Sequence, residues 1–117
     1  MNIFISQPMT GYTEDEIYTN RTKEIIKIKH NDNWDTRDAI FITSYINEKS
    51  QKEVKDVFSE SNIDIVLLAI SIRKLADADI IWMSSGWEES RGCKIEHAVA
   101  AAYGIPVYYS DDYADGE

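Results

Sequence analysis

The chain has 117 residues, of which 12 are basic and 21 acidic, for a formal charge of −9. That length suits one domain around one core, and the acidity argues against a nucleic-acid polymer as ligand, because proteins that track phosphates carry basic surfaces; a single nucleotide needs only a few local donors. Cys93 is the only cysteine, which excludes an intramolecular disulfide and fits a reducing cytoplasm.

MNIFISQ lacks the basic-then-apolar pattern of a signal peptide. The longest apolar run, 65–72, is too short to span a bilayer. A cytoplasmic protein with no membrane partner is the expectation.

Residues 3–6 are β-branched and aromatic, and Gln7-Pro8-Met9-Thr10-Gly11 punctuates them, so a strand and then a loop are predicted. Thr13 and Glu16 have the spacing of a capping box for a helix to about Lys29, with Ile17, Ile25 and Ile28 as a thin apolar face. Asn31, Asp32, Asn33 and Asp35 mark a turn-rich stretch. Residues 39–46 are β-prone. Residues 48–60 read either as a helix, with Val54, Val57 and Phe58 at helical spacing, or as a mobile excursion.

Ser61 is placed to cap a helix over about 62–76 with the stripe Ile65, Leu68, Ile72 and Leu75. Residues 79–83 have the composition of a buried strand, with Trp82 in the core. A helix over 92–103 follows, with Gly104 just past its end, and a strand over 106–109. The order β-α-β-α-β-α-β predicts a parallel sheet with helices on both faces and right-handed crossovers. One domain over residues 1–110 and an acidic tail over 111–117 are expected.

The chemistry concentrates in WMSSGWEESRGCKIEHAVAAAYGIPV, residues 82–107. Ile95, Ala98, Val99 and Ala102 share a face of its helix, and Glu96 flanks that stripe one turn in. Two readings of Glu96 stand. One is a solvated glutamate. The other is a carboxylate at a cleft wall, favoured in its ionised form by about 0.3–1 kcal/mol at the helix N-terminus and able to attack a sugar C1′.

Ser84-Ser85-Gly86 and Ser90-Arg91-Gly92 surround the helix entrance, where amides and hydroxyls bind anions or simply cap. Ser90 and Arg91 are thus phosphate-binding candidates, or a cap and a solvated cation. Trp87, Tyr12 and Met9 are candidates to cover a base or sugar, or else lids on the core. His97 points about 100° away from Glu96 and is not paired with it.

Asp77 and Asp79 bracket the turn into the third strand; both read as cap and turn, with substrate binding as the alternative for Asp79. Cys93 near a helix start has either a lowered pKa or an inert thiol. No cluster has metal-ligand spacing, and there is no P-loop or GxGxxG, so neither metal nor cofactor is expected.

Two strings, FISQPMTGY and LADADIIWMSSGWEESRGCKIEHAVAAAYGIPV, resemble the nucleoside 2-deoxyribosyltransferase-like superfamily. The nearest likeness is to its short phage- and prophage-type members, related to 2′-deoxynucleoside 5′-phosphate N-hydrolases. Residues 31–60 match poorly. The resemblance implies a Rossmann-like three-layer sandwich with a four- to five-stranded parallel sheet. It implies cleavage of the N-glycosidic bond of a nucleoside or nucleotide, with Glu96 as nucleophile on C1′ and water or a second base resolving the glycosyl-enzyme.

Tyr12 would orient the sugar or nucleophile. Ser90, six residues before Glu96, stands where the monophosphate hydrolases hold phosphate and true transferases have aspartate. Gly11 and Gly86 fall in the ligand-facing loops. Homo-oligomers, dimers or larger, are implied as well. The chain departs from the family at Ser71, where an assisting aspartate is usual, and at Gln7, where short relatives have glycine. Both departures leave open a nucleotide-binding protein that has lost turnover.

Overall fold

The computed structural model describes residues 1–31 and 34–114. Its elements in chain order are β1 (Asn2–Ser6), α1 (Glu14–Lys29), β2 (Ile40–Thr43), α2 (Glu48–Val57), α3 (Ile63–Leu75), β3 (Ile80–Met83), α4 (Arg91–Ala102) and β4 (Val107–Tyr109). The four strands form one parallel sheet in the order β2-β1-β3-β4. The sheet therefore has the lower of the two strand numbers expected.

Side-chain parity along the central strands separates two cores, because alternate residues face opposite sides. Ile3, Ile5, Ile80 and Trp82 point to one face and pack with Ile25 and Ile28 of α1. Phe4, Ile81 and Met83 point to the other and pack with Ile72 and Leu75 of α3 and Cys93 and Ala100 of α4. The result is three layers: α1, the sheet, and α3 with α4. β1 leads leftward to β2 and β3 leads rightward to β4. The boundary between β1 and β3 is thus the switch point, outside whose carboxyl ends such sheets bind ligands.

The capping box forms as expected: the Thr13 N–H donates to Glu16 Oε1 at 2.9 Å, and the Glu16 N–H donates to Thr13 Oγ1 at 3.2 Å. Residues 48–57 take the helical alternative, capped by Asn47, with no buried residue. Asp32 and Asn33 of the expected turn, and 115–117 of the expected tail, lie outside the described residues. Ser110–Asp112 is a 3₁₀ turn, and Tyr113 packs against Trp34 and Trp82.

Two expectations need correction. The α3 cap is Asn62, whose side chain accepts from the Ile65 N–H, and Ile65 is 63% exposed instead of core-facing. The buried face runs through Ser71 and Leu75. On α4 the buried residues are Cys93, Glu96 and Ala100, while Ile95, Ala98 and Ala102 face outward. Ala98, Ala100, Ala101 and Ala102 fall on several sides of this helix, so its pattern does not set its rotation. Contact with Phe4, Ile81 and Met83 does, and it puts Glu96 on the buried stripe.

Candidate functional site

Glu96 is 3% exposed. Ser6 ends β1 on the face shared with Phe4, and its hydroxyl donates to Glu96 Oε1 at 2.6 Å. The Ser71 hydroxyl, from the buried face of α3, donates to Glu96 Oε2. The carboxyl is thus gripped at both oxygens by hydroxyls from two different elements. Burial pushes its pKa above the ordinary value of 4.5, and the two serine hydrogen bonds pull it down. Desolvation is the larger influence, so the favourable effect anticipated from the helix N-terminus does not dominate.

The carboxyl lines a cavity of about 460 Å³, a volume suited to a small molecule. Its walls come from the loops after β1 and β2, from the starts of α1 and α2, from α3 and from the start of α4. Of the residues singled out in the sequence, Glu96, Ser90, Arg91, Met9, Tyr12, Ser71 and Gln7 line it together. Gly11 lies in the turn that carries Met9 and Tyr12. The Tyr12 N–H donates to the Met9 carbonyl at 3.2 Å, and the φ of +87° at Gly11 is what that turn needs at its third position. Ser90 caps α4, its Oγ accepting from the Cys93 N–H at 3.3 Å.

Gly11 itself is not in the lining, and neither are Gly86, Trp87 and Asp79. Gly86 has φ +85° and turns the chain so that the Trp87 N–H donates to the Ser84 carbonyl. Trp87 then stacks on His97 with ring centroids 4.5 Å apart and packs against Tyr109, so its ring covers core. Asp79 precedes β3, with about 13 Å of strand between it and the ligand-binding end. Its carboxylate accepts from the Asn2 N–H at 2.6 Å, tying β1 to β3. The turn reading of Asp79 is the one its position supports. The Cys93 thiol is buried, and burial pushes its pKa up, the opposite of the lowered value of the reactive alternative.

Sequence reasoning missed several groups. Ser6 carried a signal, as a polar residue at the end of an otherwise apolar central strand. Ser44, Tyr45, Glu14, Glu48 and Asp64 also line the cavity, and no local pattern marks them, since they come from four separate segments. The hydroxyl of Ser44 and Oε1 of Gln7 are buried without a hydrogen-bond partner. The amide orientation of Gln7 is set by its Nε2, which donates to the Ile17 carbonyl at 3.0 Å. Gln7 and Tyr12 also wall a smaller cavity of about 240 Å³ toward α1.

Among the described residues, no group of three or more His, Cys, Asp or Glu could hold a metal ion. No described helix is long and apolar enough to cross a membrane.

Fold and site together define a parallel α/β domain with a carboxyl-bearing pocket beside its switch point. The family described as "Domain of unknown function (DUF4406)" matches residues 44–109, more than half of the sequence, and the chain belongs to it. The match begins just after β2 and takes in α2 through β4, and hence Ser71, Ser90 and Glu96, but neither β1 nor the loop after it. No curated protein and no solved structure matches the chain.

Proposed function

We propose that this protein cleaves N-glycosidic bonds of nucleosides or nucleotides, with Glu96 as the nucleophile. The observation that carries the reading is a buried carboxyl, held at both oxygens by Ser6 and Ser71, in the wall of a ligand-sized cavity at the carboxyl end of a parallel sheet. The sequence likeness to nucleoside 2-deoxyribosyltransferase-like enzymes supports it from the same residue.

In this reading ionised Glu96 attacks C1′, the C1′–N bond breaks, and a glycosyl ester forms. Water then releases the sugar, or a second base accepts it. Ser6 and Ser71 hold the carboxyl in one orientation, which is the entropic part of catalysis. Tyr12 and Met9 sit over the cavity to contact sugar or base, and Ser90 and Arg91 stand at its α4 edge. Association of copies belongs to the reading, supported by the exposed apolar Val57, Phe58 and Ile65; light scattering at a monomer mass would count against it.

A second reading, a nucleotide-binding protein without turnover, is favoured by Ser71. A serine there donates to Glu96 but supplies no acid for the leaving base, and acid help is commonly worth 10²–10⁴-fold. Chromatographic detection of free base from a panel of nucleosides and nucleoside monophosphates, beside Glu96→Ala, separates the two. Release that vanishes in the variant supports the glycosidase. No release, with melting temperature raised by a panel member in both proteins, supports the binder.

A further inference from the structure

The cavity mouth has a chemical bias that the glycosidase reading does not use. Among the described residues, Glu14, Glu48 and Asp64 line it against one cation, Arg91. Deeper in, Gln7 and Ser44 are 2% and 4% exposed, and each holds a polar atom with no partner. Gln7 Oε1 can only accept a hydrogen bond, and a buried acceptor of this kind calls for a donor on the ligand. The Ser44 hydroxyl can donate or accept, so the buried pair admits a neutral polar group, and it is the acidic mouth that disfavours a phosphate and favours an electropositive group.

The surroundings of Glu96 point the same way. Among the described residues its hydrogen-bond partners are the hydroxyls of Ser6 and Ser71, with no second carboxyl and no imidazole. A neutral base leaving C1′ needs a proton to carry its negative charge. A base that already bears a positive charge does not.

We infer that the preferred substrates are unphosphorylated nucleosides whose base carries a fixed positive charge, such as N7-alkylated purine or pyridinium nucleosides. The inference rests on the glycosidase reading of Glu96. As Glu96 attacks, the C1′–N electron pair passes to the ring nitrogen and neutralises it, so the base departs as a neutral molecule without proton transfer. Water then adds its oxygen to C1′, the ester bond breaks, Glu96 is regenerated as carboxylate, and one proton goes to solvent. The acidic mouth concentrates the cation and holds it over the cavity.

The test compares base release from nicotinamide riboside and N7-methylguanosine, at neutral pH, with release from guanosine, 2′-deoxyguanosine and their 5′-monophosphates. Glu96→Ala sets the background. The expected result is kcat/KM for the cationic nucleosides at least about tenfold above guanosine at low salt, with the monophosphates slowest. Added salt and the triple variant Glu14→Gln, Glu48→Gln, Asp64→Asn should both narrow that gap. Equal or faster release from uncharged nucleosides or monophosphates overturns the inference while leaving the glycosidase reading standing. Absence of release from every compound overturns both.

Discussion

Glu96 sits on the one helical position where a carboxyl meets Ser6 and Ser71 and almost no water. Its pKa is raised in the folded chain, chiefly by burial. Between the ordinary value of 4.5 and the folded value, the native state holds a proton that the unfolded state has lost. Stability therefore falls as pH rises through that interval, and the loss is complete above the folded pKa. Glu96→Gln should raise the melting temperature at neutral pH, with the difference shrinking toward zero below pH 4.5. A variant less stable than the parent at neutral pH would show that the carboxylate is better accommodated than its burial implies.

Ser71 bears on the same proton. Its hydroxyl lowers the Glu96 pKa, so Ser71→Ala should move the acid limb of a kcat/KM profile upward. An unmoved limb would mean that Glu96 is not the group whose ionisation controls the rate. Ser71 was legible in the sequence as a departure from a family pattern, but its contact with Glu96 was not, because 25 residues separate them.

Among the elements, helix ends followed local chemistry closely. The Thr13–Glu16 box and the end of α4 at Gly104 were readable because caps act over three or four residues. Helix rotation was not. Ile65 and Ile95 were expected on core faces and lie outward, since what a helix buries depends on the surface it lands on. Asp79 belongs at this scale too, as a bond between strand ends and not as a site group. Asp79→Ala should cost about 1 kcal/mol in urea unfolding, the worth of one hydrogen bond, and leave base release unchanged. A loss of activity at unchanged stability would return Asp79 to the site.

Helix α2 is held differently from the rest. It buries no residue, and Val57 is 75% exposed, yet Glu48 and Gln51 line the cavity. With so little packing its amides should exchange with solvent far faster than those of β1 and β3, and a bound ligand should slow them. Exchange by mass spectrometry with and without ligand reads both effects; protection in α2 equal to the central strands would contradict the first.

At the scale of the molecule, the strand order creates the site. β1 and β3 part company at their carboxyl ends, and the groups lining the cavity around Glu96 arrive from the loops after β1 and β2, from the starts of α1 and α2, from α3 and from α4. The net charge of −9 acts over the same scale by self-repulsion, which salt screens within about 8 Å at physiological ionic strength. Raising salt from low to physiological concentration should raise the melting temperature of the unliganded protein. A fall would show that attractive pairs such as Arg73–Asp77 outweigh the repulsion.

Periodicity and turn chemistry in the sequence determined the alternation of strands and helices, the parallel sheet and the candidate carboxyl, because all three are set by neighbours within a few residues or by the order of elements. Only the tertiary structure decided that Glu96 is buried, that Ser6 and Ser71 hold it, that Trp87 covers core, and that the cavity mouth is acidic. Those facts depend on how far one helix is rotated against a sheet and on which distant segments converge, and packing across the whole chain decides both.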